Sequence, residues 1–130
     1  GDGQVGPPEA VIQLSTVEAL GREEGLSDLQ LDADGDSVLI LTSHEGPSNT
    51  PESHSGHLFR VAARALLGAT PSAPIPLGAP LRGFRAKPEG LAVEPSGALI
   101  VIFDDDRDWK HLFAGYEQSE GLFTRIDPRP

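Results

Sequence analysis

The sequence predicts an all-β chain: about two antiparallel blades of a β-propeller, with a small β-sandwich as the alternative. Three observations predict it. Short apolar, β-branched runs alternate with turn clusters. Gly (15) and Pro (12) together are 27 of 130 residues, about twice the ordinary share of roughly 12%. Finally, one strand–turn–strand–loop–strand unit occurs twice. Glu24-Gly25-Leu26 recurs as Glu89-Gly90-Leu91, and Gly56-His57-Leu58-Phe59-Arg60-Val61 as Gly121-Leu122-Phe123-Thr124-Arg125-Ile126, both at an offset of 65 positions. Repeated units of this kind become stable by stacking on neighbours.

Taken in order, residues 1–9, opening Gly-Asp-Gly-Gln, read as a flexible lead-in. Residues 10–80 read as the end of a preceding blade (Val11–Leu14) plus a first full blade. Within it, strands 26–32 and 37–43 flank the turn Asp34-Gly35-Asp36, because Leu29 and Leu31 alternate with polar residues and Val38–Leu41 are apolar throughout. Leu58–Ala62 is a weaker strand. Phe59–Leu67 is the only helix candidate, but nine residues without a cap favour a strand followed by a turn. Residues 68–80 hold four prolines and read as a loop or edge segment, with 63–80 supplying a fourth strand and a crossing loop. Residues 81–130 read as the second blade. Leu91–Val93 and the wholly apolar Leu99–Phe103 flank Glu94-Pro95-Ser96-Gly97, and Leu122–Ile126 follows.

Blades take roughly 40–45 residues, and a closed propeller needs at least 4 of them. A chain of 130 residues is too short for that. With no methionine, it is expected to be a piece of a longer protein or to assemble with further copies of itself. The expected partners are therefore the remaining blades or other copies.

The charge is uneven. Residues 1–55 hold eleven acids and a single base, Arg22, whereas residues 56–130 hold nine of each. The net charge of −10 thus sits in the first half, which excludes nucleic acid and anionic membranes as expected partners. No apolar run approaches the roughly 18 residues of a membrane span. The absence of cysteine excludes disulfides, thiolate catalysis and Cys-based zinc sites.

Several residue groups invite a chemical reading. Glu24 and Glu89 open strands that otherwise look buried, so each carboxylate needs a cation, an Arg or backbone donors. Asp104 opens the acidic run 104–108 at the end of the most apolar strand, where oxygen ligands suit a hard cation. His44 follows a buried strand and suits acid–base work or a phosphate contact. His44, His54 and His57 lie within one polar stretch, but the segment's Pro, Ser and Asn content reads as a loop more than a zinc site. Arg82, Arg85 and Lys87 precede Glu89 and suit an anionic substrate, or simply balance the acidic half. Asp32–Ser37 lacks the EF-hand spacing and reads as a turn.

Arg22-Glu23-Glu24-Gly25-Leu26-Ser27-Asp28-Leu29 with Asp32–Asp36, and Lys87–Gly97 with the run to Asp104, resemble blade openings of esterase-like phytase domains. They are also similar to bacterial propeller proteins with a KPEGL segment and, more widely, to gluconolactonase-like propellers. The resemblance covers about residues 20–65 and 82–126. It implies a metal-dependent ester or phosphoester hydrolase, with calcium or another divalent cation at Glu24 and Glu89, to which the residues themselves add Asp104 as a third metal ligand. The residues themselves point to Glu89 and His44 in catalysis and to Arg85 and Lys87 on the substrate, and the resemblance implies a periplasmic or extracellular setting. The other expectation is a non-catalytic propeller that binds a ligand or a protein.

Overall fold

The computed structural model describes residues 12–46, 54–68, 73–103 and 122–127. In chain order the elements are β1 (Leu14–Ser15), α1 (Val17–Leu20), β2 (Gly25–Leu31), β3 (Ser37–Glu45), β4 (His54–Ala62), α2 (Ala63–Leu67), β5 (Ile75–Pro76), β6 (Arg82–Phe84), β7 (Pro88–Val93), β8 (Leu99–Phe103) and β9 (Leu122–Ile126). The chain is mostly β, and its two larger sheets are antiparallel, as the alternating pattern predicts. The first sheet runs β2-β3-β4-β6 and the second β7-β8-β9; β1 and β5 form a short parallel pair. Among the described residues no helix is long and apolar enough to cross a membrane.

The two hairpins close in the same way. Gly35 and Gly97 take φ of 75° and 90°, a left-handed conformation that costs glycine little. On the strand side of each turn, an acid at the end of the first strand meets an Arg of the third. Asp32 accepts from Arg60 at 3.1 Å, and Glu94 from Arg125 at 3.1 Å. Arg60 faces Leu39 and Arg125 faces Ile100, so the two clasps occupy one place in the repeated unit.

The register also relocates part of the repeat. Both first strands carry a bulge, at Ser27 in β2 and at Glu89 in β7. Counting from the turns, Glu89 therefore takes the place of Ser27, not that of Glu24. The Glu-Gly-Leu triplets match in letters, but the second lies deeper in its strand. Hairpin closure and side-chain burial set register, and a three-letter match does not.

Both faces of β3, an inner strand of the first sheet, are buried. Leu39, Leu41 and Leu58 pack with Leu91, Leu99, Val101, Phe103 and Ile126 of the second sheet. On the opposite face Val38, Ile40 and Phe59 pack with Leu77, Leu14, Ala19 and Leu20. This double burial explains why β3 is apolar throughout. The segment at residues 73–80 supplies β5 and the buried Leu77 to that second core. It adds no strand to the sheet; the fourth strand is β6, after the last of the prolines, which lack the N–H a ladder needs. The strand at Phe59 runs on to Ala62 and only then turns into the five-residue α2, with Val61 still facing Val38 across the ladder.

The two sheets meet along their first strands, β2 against β7. Asp28 joins them: its Oδ1 accepts from its neighbour Leu29 N–H at 2.7 Å, and its Oδ2 from Leu91 N–H at 2.8 Å. Asp28→Ala leaves the Leu91 donor without this acceptor. It is expected to cost about 1–3 kcal/mol in urea unfolding, with part recovered in Asp28→Asn, whose amide oxygen still accepts. A loss below about 0.5 kcal/mol, the scale of a neutral surface change, would show that the bond carries no weight.

Candidate functional site

The most developed polar site lies at the entry to β2. Thr16, before α1, accepts from Glu24 N–H at 2.8 Å and donates to the Arg22 carbonyl at 2.7 Å through the same hydroxyl. Gly21, at φ 76°, ends α1 and turns the chain back. Glu23 accepts from the Ser15 hydroxyl at 2.6 Å and from Thr16 N–H at 3.2 Å. These bonds fix the loop that delivers Glu24 to the end of the first sheet.

There the Glu24 side chain is fully buried. Its Oε1 accepts from Thr42 Oγ1 at 2.8 Å and lies 2.8 Å from His57 Nδ1. Its Oε2 accepts from Arg22 Nη2 at 2.9 Å and from Ser55 Oγ at 3.3 Å. Arg22 also donates to Ser55 Oγ at 2.6 Å. Thr42 and His57 face each other directly across β3 and β4, and His44 faces Ser55 two pairs further out, on the same face. Burial pushes the Glu24 carboxyl pKa up; the bonds from His57, Arg22 and Thr42 outweigh it and hold it below the usual carboxylate value. A cleft of about 140 Å³ lies alongside, lined mainly by Leu14, Leu26, Ile40, Thr42 and Leu77 together with Glu24.

With Nδ1 committed to Glu24, the outer part of the His57 ring lies beside Gly83 of β6, where a Cβ would stand 3.4 Å from Cδ2 and Nε2. The ring is 19% exposed. A buried carboxylate bonded to one ring nitrogen is the arrangement used to orient an imidazole and fix its tautomer.

The other expected residues lie elsewhere. Glu89 is exposed at the β7 bulge and pairs with Lys87 at 3.4 Å; Lys87 also reaches Glu45 at 3.6 Å. The buried His54 approaches Glu45 at 3.7 Å. This ion cluster bridges the end of the first sheet to the start of the second. Arg82 and Arg85 are exposed on and after β6. The structure therefore does not bring Glu24 and Glu89 together: Glu24 is held on the face of the first sheet turned away from the second, and Glu89 stands at the junction. Asp104, and the acidic run it opens, lie outside the described residues. Among the described residues no group of three or more His, Asp or Glu is arranged to hold a metal ion.

Sequence reasoning singled out Glu24 and weighed His57 only as a zinc ligand; Thr42 and Ser55 went unremarked. The alternation Ser55-x-His57 was the available signal, but it acquires meaning only once Thr42 is known to lie opposite. No protein-family model, curated protein or solved structure matches the chain.

Proposed function

We propose that the chain is a section of a β-propeller, two consecutive blades, acting as a non-catalytic scaffold that binds a ligand or a protein. The meander order of the sheets supports the blade reading. So does their stacking face to face with the first strands closest, as blades arranged around an axis require.

One observation carries the scaffold reading: the Glu24 carboxylate is saturated by four protein partners, Thr42, His57, Arg22 and Ser55, in a buried setting. A carboxylate occupied in this way has no lone pair left for a metal or a reacting proton. Its effect is to tie the entry loop to β3 and β4.

The His57 ring beside Gly83 favours a second reading, in which Glu24 and His57 act as a hydrolytic dyad, in line with the resemblance to esterase-like phytase domains. Rates on aryl esters and aryl phosphates, with and without calcium, separate the two. The scaffold reading expects wild type and His57→Asn to match buffer on every substrate. Turnover that His57→Asn lowers by at least about tenfold, a typical lower bound being roughly a hundredfold for a lost acid–base group, overturns it in favour of the dyad.

A further inference from the structure

The hairpin turn at residues 32–37 carries chemistry that neither the scaffold nor the dyad uses. Asp34-Gly35 is one of two Asp-Gly pairs in the sequence; the other, Asp2-Gly3, lies outside the described residues. An aspartate carboxyl group can be attacked by the backbone nitrogen of the next residue. The attack is easiest before glycine, which has no Cβ to crowd it. Asp34, Gly35 and Asp36 are all exposed. Water therefore reaches this bond, and burial does not protect it.

Both reacting groups are nevertheless engaged. The Gly35 N–H donates to the Asp32 carbonyl at 3.0 Å. Asp34 Oδ1 accepts from Asp36 N–H at 2.8 Å and from Ser37 N–H at 2.9 Å, and its Oδ2 accepts from the Ser37 hydroxyl at 3.1 Å. Closing a ring onto the Gly35 nitrogen requires the carboxyl group to turn away from these three donors. It also requires the Gly35 N–H to leave Asp32. The bonds from Asp36 and Ser37 hold the Asp34 carboxyl below its ordinary value of 3.8, so little of it carries the proton that a departing oxygen needs. The second hairpin has the same closure without the chemistry. There Gly97 N–H donates to the Glu94 carbonyl at 2.8 Å, but Ser96 stands in the place of Asp34.

We propose that Asp34 is a covalent modification site that the closed turn withholds: it converts to isoaspartate only when the β2–β3 hairpin opens. In the open turn the Gly35 nitrogen bonds to Asp34 Cγ. The nitrogen gives up its proton and Cγ its hydroxyl, which leave together as water, and a five-membered succinimide forms. A second water then adds to one of the two ring carbonyls. Addition at Cγ breaks its bond to the nitrogen and restores aspartate. Addition at the main-chain carbon breaks that bond instead and leaves isoaspartate, with the chain running through Cγ and one methylene longer.

The added methylene falls among the groups that close the hairpin. Asp32 N–H donates to the Ser37 carbonyl at 2.8 Å, and Ala63 N–H, at the start of α2, donates to the Asp36 carbonyl at 2.8 Å. Modification therefore loosens the turn and its tie to α2. It acts on the first unit of the repeat alone, because a serine at position 96 forms no succinimide.

The test incubates the whole chain at neutral pH, folded in buffer and unfolded in guanidinium chloride, and follows the peptide that holds Asp34. An isoaspartyl peptide keeps the mass of its parent, elutes apart from it and resists an Asp-specific protease. Where opening and closing are fast, the folded rate is the unfolded rate times the opened fraction, so the folded protein is expected to convert at least about tenfold more slowly. Ser37→Ala gives up the hydroxyl bond to Oδ2. It is expected to raise the folded rate about twofold or more, the effect of one modest hydrogen bond, and to leave the rate in guanidinium unchanged. Equal wild-type rates in buffer and in guanidinium, with β-rich dichroism intact in buffer, overturn the proposal. So does a folded rate that Ser37→Ala leaves unmoved.

Discussion

Glu24→Ala is expected to lower the unfolding free energy by about 3 kcal/mol or more, because it takes an ionised acceptor away from the buried Thr42 hydroxyl and the His57 ring, each such bond to a charged group being worth about 1.5–3 kcal/mol. That is a large part of the roughly 5–15 kcal/mol that holds an ordinary domain together. The carboxylate is the common acceptor for Thr42, His57, Arg22 and Ser55. Without it, the buried Thr42 hydroxyl and the His57 ring lose a strong acceptor, and the entry loop loses its anchor. Urea unfolding at neutral pH measures the loss. Glu24→Gln keeps the shape and one acceptor oxygen, so it is expected to cost less, about 1.5–3 kcal/mol, the range for hydrogen bonds to charged groups.

The same carboxylate predicts an acid dependence. Its folded pKa lies below the ordinary value of 4.5. The unfolded state therefore binds the proton more readily, and stability rises with pH across the interval between the two values. The contribution is complete above the unfolded value and is lost as pH falls through the folded one. Glu24→Gln is expected to flatten that part of the melting-temperature profile below about pH 4.5. An identical acid limb in both proteins would assign the acid sensitivity to other carboxylates, such as Glu94, which its bond with Arg125 also holds low.

Gly56→Ala is expected to be about as damaging. A Cβ on Gly56 would stand 2.3 Å from both Cδ and Cγ of Pro88 and 2.6 Å from the Thr42 carbonyl. Pro88 is fully buried, and the carbonyl belongs to the paired β3 strand, so neither neighbour moves freely. Overpacking commonly costs about 1–3 kcal/mol, occasionally more, and this contact joins the two sheets, so a loss at or above about 3 kcal/mol is expected. Pro88→Ala removes the two ring carbons and leaves the carbonyl clash. The double variant is therefore expected to recover part of the loss, giving a coupling of about 0.5–3 kcal/mol in a double-mutant cycle. Strict additivity would place the strain elsewhere.

The strands were largely legible in the sequence, for local reasons. Val38–Leu41 is apolar without interruption because both of its faces are covered, whereas Leu99–Phe103 buries only Leu99, Val101 and Phe103 and leaves Ile102 exposed; turn residues precede each of them. The core of both sheets followed from those runs. Leu77 did not, because it sits in a proline-rich stretch whose pattern carries no period; it is buried by the fold of the chain around it.

The candidate site was legible only in part. Glu24 stood out as a carboxylate next to apolar strands, and it is buried. Glu89 shares its triplet but lies at the surface, since β7 enters its sheet at a different point of the repeat. Letters set strand, turn and loop through spacing, because a strand alternates every residue and a turn needs glycine or a short polar side chain. Register is a relation between strands distant in the chain. It alone placed Thr42 opposite His57, set both against Glu24, and separated the buried carboxylate from the exposed one, because the free energy of burying a charge depends on which donors arrive from elsewhere in the fold.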